Sequence, residues 1–152
     1  MSKRIDEKVL GLKYNVEIKR IDNRTGEIID SEVFHNLVVT AGLNRVRDLI
    51  GKASTSGFDY IAIGEGAVAP ALSDTALGTE QARELATITF PANGQVKYEK
   101  VFTFGTGESF SITETGLFDA SSAGTMLNRL TFASKAVDLN TDLSVTITIT
   151  VA

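Results

Sequence analysis

Residues 143–151 read LSVTITITV. Side chains alternate across an extended chain with period two, so Val145, Ile147, Ile149 and Val151 face one way and Ser144, Thr146, Thr148 and Thr150 the other. The β-branched residues on both faces suit a pleated surface. A strand this regular is expected to be paired, which ties down the C-terminal end of the chain.

The same signature repeats upstream. LATITF (85–90), QVKYEKVFTF (95–104), SFSITETGLF (109–118) and TMLNRLTF (125–132) all read as strands. Turn residues separate them every 8–12 residues or so, the spacing of an all-β sandwich or barrel. Pro91-Ala92-Asn93-Gly94 and Gly105-Thr106-Gly107 are two of these turns. Nearer the N-terminus, YNVEIKR (14–20) alternates Tyr14, Val16 and Ile18 against Asn15, Glu17 and Lys19. The turn cluster Asp22–Gly26 and a returning strand EIIDSEVF (27–34) make a hairpin with it. FDYIAI (58–63) is a further strand.

One segment departs from this pattern. In LVVTAGLNRVRDLIGK (37–52), Leu43, Val46, Leu49 and Ile50 recur at helical spacing, with Thr40 as the expected N-cap and Gly51 as the expected C′ residue. The predicted architecture is mainly β, an antiparallel β-sandwich or barrel-like domain over residues 14–152, with one short helix near 40–50. Residues 1–13 are expected to form a mixed-charge arm. Lys3, Arg4, Ile5, Val9, Leu10 and Leu12 are its candidate partner-binding residues, with the arm ordering on a neighbouring subunit.

At 152 residues the chain fits one domain, large enough to bury a core without covalent staples. It contains no cysteine, which removes disulfides, thiolate metal sites and cysteine nucleophiles together. Net charge is -4 and the pI about 5.0, the opposite of the clustered positive charge of a nucleic-acid binder. No apolar run reaches the length of a signal peptide or a membrane span. The expectation is a protein made in the cytoplasm without an export signal, binding neither nucleic acid, membrane nor small molecule.

Candidate chemistry is sparse. His35 is the only histidine, too few for a catalytic triad or a histidine metal cluster, and a structural role at a strand end is expected. Gly64-Glu65-Gly66-Ala67-Val68-Ala69 matches a G-x-G-x-x-A dinucleotide fingerprint. No helix follows it, Pro70 interrupts it, and no βαβ unit surrounds it, so a turn with glycines at positive φ is the expectation. Asp74, Glu80 and Glu84 lie in the long connection 64–84, where a short helical turn is expected at 73–77, with Asp74 as a possible cap. Asp74 and Glu80 are the only pair with a case as hydrolytic carboxylates, though their spacing fits no established ligand loop. The aromatic residues fall nearly all on predicted strands and are expected in the core. There is no tryptophan for a sugar platform. No catalytic residue, metal or cofactor is assigned.

The order of five motifs is similar to a known group: HNLVVTAGLNRVRDLIG (35–51), YIAIGEGAVAPALSDTALGTEQARE (60–84), ITETGLF (112–118), TMLNRLTF (125–132) and DLSVTITITV (142–151). It resembles that of short proteins from tailed-phage structural gene clusters, the small capsid decoration (cement) proteins and related short tail-fibre-like proteins. The resemblance covers residues 35–152. It implies a β-tulip-like domain, without enzymatic activity, sitting as a homotrimer on the virion capsid surface. There it would bind the major capsid protein and stabilise the head by linking neighbouring subunits. The alternative within the same group is a tail-tip or tail-fibre component. The alternative outside it is a small carbohydrate-binding or hydrolytic β-domain using Asp74 and Glu80.

Overall fold

The structure, a computed structural model, describes residues 11–35 and 37–151. Ten strands and one helix follow in order: β1 (Leu12–Asp22), β2 (Glu27–Phe34), β3 (Leu37–Val38), α1 (Thr40–Ile50), β4 (Tyr60–Gly64), β5 (Glu80–Leu85), β6 (Thr87–Thr89), β7 (Gln95–Phe102), β8 (Phe110–Phe118), β9 (Met126–Val137) and β10 (Thr141–Val151). They build two antiparallel five-stranded sheets, ordered β2-β1-β10-β7-β6 and β3-β9-β8-β4-β5. The sheets pack face to face as a sandwich, and neither closes on itself as a barrel.

The alternation in β10 does what its pattern requires. Leu143, Val145, Ile147 and Ile149 are buried between the sheets. They meet Tyr14, Val16 and Ile18 of β1 and Tyr98 and Phe102 of β7, with Ile61, Ile63, Ile112 and Leu117 supplied by the second sheet. Val151, at the end of the same face, is more than half exposed, because the core ends before it. β1 and β2 form the expected hairpin, with Gly26 at φ 75 in its turn. β1 begins at Leu12, opposite Val151, so Leu12 and Lys13 belong to the sheet rather than to the arm.

Five expectations are corrected. Residues 80–85, read as part of a long connection, form β5 on the edge of the second sheet. The chain then crosses at Ala86, so the stretch 85–90 is split between the two sheets. No helical turn forms at 73–77; Asp74 instead accepts from the Ala71 N–H and from the buried Arg129. The helix is where it was expected, but Thr40 is its first residue. Val39 precedes it without a side-chain cap, and Gly51 ends it at φ -87, leaving the positive φ to Lys52.

The helix buries only part of the face its apolar spacing indicated: Val46 packs against the core and Leu49 is half-buried. Gly42 is its buried residue, whereas Leu43 and Ile50 are exposed. A methyl group at position 42 would stand 2.3 Å from the carbonyl oxygen of Leu127, so glycine lets the helix backbone lie directly on β9. The helix and the connection between β4 and β5 together cover the outer face of the second sheet. Val39, Ala62, Leu77, Phe118 and Met126 form a small second core there.

Candidate functional site

The outer face of the second sheet carries charges that are fully enclosed. Register places Glu114 of β8 beside Gly64 of β4, and Gly116 beside Arg129 of β9. An irregularity in the ladder between Ile112 and Glu114 changes the face that β8 presents, so Ile112 enters the main core while Glu114 does not. Glu114 is 0% exposed.

Its carboxylate is surrounded by donors. Oε1 accepts the backbone N–H groups of Gly66 at 2.9 Å and Thr79 at 2.8 Å. Oε2 accepts the N–H of Gly78 at 2.9 Å and both Nε and Nη2 of Arg129, at 3.0 and 2.9 Å. The remaining arm of the guanidinium, Nη1, donates to Asp74 Oδ2 at 3.0 Å, and that oxygen also accepts the N–H of Ala71 at 2.9 Å. One carboxylate, one guanidinium and a second carboxylate therefore fasten the connection 65–79 to β8 and β9 at three places. Its two ends are joined by Glu65 N–H on the Thr79 carbonyl, and Thr113 Oγ1 of β8 donates to the Gly66 carbonyl.

The electrostatics follow from the contacts. Burial alone pushes the Glu114 carboxyl up. The N–H groups of Thr79 and Gly78, the Arg129 guanidinium and the N–H of Gly66 outweigh it and hold the group below the ordinary carboxylate range. Asp74 is lowered as well, first by the N–H of Ala71 and then by Arg129.

This arrangement also gives the reason for the glycines of the GEG motif. Neither Gly64 nor Gly66 has a positive φ, which corrects the expectation of a left-handed turn. A methyl group at position 64 would stand 2.3 Å from the Thr79 carbonyl oxygen, and one at position 66 would stand 2.6 Å from Glu114 Oε1. Glycine is needed here for room, so that backbone amides reach the carboxylate.

Two further arginines hold the surroundings. Arg45 of α1 pairs with Asp119 just beyond β8 and donates from Nη2 to Thr125 Oγ1 at 2.9 Å, tying the helix to the β8–β9 turn. The guanidinium of Arg83 lies 3.7 Å from the centre of the Phe118 ring and donates to the carbonyls of Ala120 and Ala123.

The residues singled out in the sequence are dispersed. Asp74 and Glu80 are each engaged by a separate arginine, Arg129 and Arg83, and Glu84 pairs with Lys100. His35 places Nδ1 3.1 Å from the Tyr14 carbonyl oxygen, a link between β1 and the end of β2. Among the described residues no group of three or more His, Asp or Glu side chains is placed to hold a metal ion. Lys3, Arg4, Ile5, Val9 and Leu10 lie outside the described residues, and Leu12 is half-buried in β1. Sequence reading passed over Glu114 and Arg129. Their signal was a lone acid in ITETGLF and a lone base in TMLNRLTF, each inside a strand otherwise committed to burial.

The first half of the pinned connection presents an apolar run outward, followed by the exposed polar residues Ser73, Thr75 and Thr79. Ala67, Val68, Ala69, Ala71 and Leu72 are exposed, Val68 at 79% and Leu72 at 57%. Thr40 N–H on the Leu72 carbonyl, at 2.9 Å, joins this surface to the start of α1. No protein-family model matches the chain, and no curated protein matches it as a relative.

Proposed function

We propose that this chain is a non-enzymatic assembly protein of a tailed-phage virion, a capsid decoration protein that stabilises the head by linking neighbouring subunits. The observation that carries the reading is the connection 65–79. Connections of this length without secondary structure are uncommon in compact domains and are usually functional. Here the buried Glu114–Arg129 pair, extended to the half-buried Asp74, holds the loop in one shape while Val68 and Leu72 stand in solvent. A buried ion pair contributes little net stability compared with apolar packing, and its best use is to specify one conformation. A loop fixed in advance loses little entropy when it docks, which favours a contact surface. The motif order of residues 35–152 supports the phage assignment.

On this reading Val68 and Leu72 meet the outer surface of the major capsid protein or a second copy of this chain in a homotrimer. Lys3 and Arg4 of the arm supply a further contact. Val68→Asp with Leu72→Asp is expected to leave the unfolding midpoint unchanged and to weaken binding to capsids at least tenfold. Binding to capsids at wild-type strength would overturn the assignment of the loop, and failure of the unaltered protein to bind capsids would overturn the capsid reading itself. A tail-tip component is the reading that a capsid-negative, tail-positive result selects.

A further inference from the structure

The turn between β6 and β7 carries a reactive pair of residues. Asn93 and Gly94 are its central positions, closed by the Gln95 N–H on the Ala92 carbonyl at 3.1 Å, with Gly94 at φ 72. Every residue from Pro91 to Gly94 is exposed. Of the seven asparagines in the chain, Asn93 alone precedes a glycine.

This turn is packed against the end of β10. The Val151 N–H donates to the Gly94 carbonyl at 2.8 Å, Gln95 pairs with Thr150 in the ladder, and Gln95 Nε2 donates to Thr150 Oγ1 at 3.3 Å. A methyl group at position 94 would stand 2.8 Å from the Val151 carbonyl oxygen, so the backbone has little slack there.

We infer that Asn93 is a site of spontaneous covalent modification, converting to isoaspartate and aspartate, and that the isoaspartate form unfastens Val151 from this turn. The conversion consumes only water. The Gly94 amide nitrogen loses its proton and attacks Cγ of Asn93. The N–Cγ bond forms, the Cγ–Nδ2 bond breaks, and Nδ2 departs with a proton as ammonia, leaving a cyclic imide. Water then opens the imide at either carbonyl, with no oxidation or reduction. Opening at Cγ gives aspartate. Opening at the backbone carbonyl carbon gives isoaspartate, whose main chain runs through Cβ and Cγ and is longer by one atom.

The surroundings select Asn93. Glycine has no side chain to shield the attacking nitrogen, and an exposed turn leaves the Asn93 side chain free to approach it. Other asparagines are held. Asn23 Nδ2 donates to the Leu139 carbonyl and to Asp142, Asn128 is wholly buried with Oδ1 on the Leu117 N–H, and Asn44 lies inside α1. The added main-chain atom displaces Gly94 relative to Val151, and the 2.8 Å bond between them is lost. The Val151 end of β10 is then the first part of the sandwich to loosen as the protein ages. This inference is independent of the virion reading.

The test incubates the full chain in mildly alkaline buffer and follows it by peptide mass mapping, with isoaspartate read by enzymatic methylation. The peptide containing Asn93 and Gly94 should gain the mass of an amide exchanged for an acid, about tenfold faster than any other asparagine-containing peptide. Isoaspartate should be the larger product, with ammonia released in equal amount to the two together. In the isoaspartyl form, separated by ion exchange, the Val151 amide should exchange about tenfold faster than in fresh protein. Asn93→Gln, whose longer side chain closes a larger and slower-forming ring, should show neither change. Conversion at Asn93 no faster than at the other asparagines would overturn the inference. Unchanged Val151 exchange in the isoaspartyl form, or an equal rise in aged Asn93→Gln, would overturn its structural consequence.

Discussion

Glu114 on β8 and Arg129 on β9 meet through two hydrogen bonds to one oxygen, at 3.0 and 2.9 Å, in a site where Glu114 has no exposure and the Arg129 side chain has 3%. Breaking a buried pair from one side strands the other charge. Glu114→Gln is therefore expected to cost about 3–5 kcal/mol in urea unfolding. With Arg129→Met added, the loss should fall short of the sum of the single losses by about 0.5–3 kcal/mol. Strict additivity would mean that the two groups act separately.

The same carboxylate makes acid sensitivity a readout of the site. A folded-state value below the ordinary range means that Glu114 contributes stability that is fully present above the unfolded carboxylate pKa, about 4.3. That contribution is lost as pH falls through the lower folded value. Asp74 and Asp30, also lowered, act in the same direction. Unfolding midpoints should be level above about pH 5 and fall below it, and the fall should be shallower in Glu114→Gln. An equal fall in both proteins would remove Glu114 from the account.

Glycine at position 66 is required by the carboxylate rather than by a turn. Gly66→Ala is expected to cost about 1–3 kcal/mol, since its methyl group meets all three carboxylate atoms within 2.8 Å. Gly57→Ala, where a methyl group meets nothing within 4 Å, should stay within about 0.5 kcal/mol of wild type.

The core between the sheets supplies a third comparison. Ile147 is wholly buried, so Ile147→Ala should cost about 2–5 kcal/mol. Ile28 on edge strand β2 is more than half exposed, and Ile28→Ala should stay within about 0.5 kcal/mol.

The part of the fold legible in the sequence is the part governed by local alternation. Strands with one buried and one more open face, β1 and β10, show period two, and the faces expected for them are the ones found. β8 and β9 were found as strands, but their inner organisation was hidden. Ladder irregularities shift the face in use, and the outer side is covered by a loop instead of water. β5 was missed because EQAREL is polar. Its partners are arginine contacts and a neighbouring strand distant in sequence, which no local pattern reports. The site was invisible for a related reason. Its donors are backbone amides at 66, 78 and 79, and only the three-dimensional approach of Glu114 gives those positions a role.

Whether the pinned loop is a contact surface on a phage capsid, as proposed, is decided by the position of this chain in an intact particle imaged by electron cryomicroscopy. Many copies are expected over the outer shell, with Val68 and Leu72 buried against a capsid subunit or a second copy. A handful of copies confined to the tail, or shell-bound copies whose Val68 and Leu72 face solvent, would contradict it.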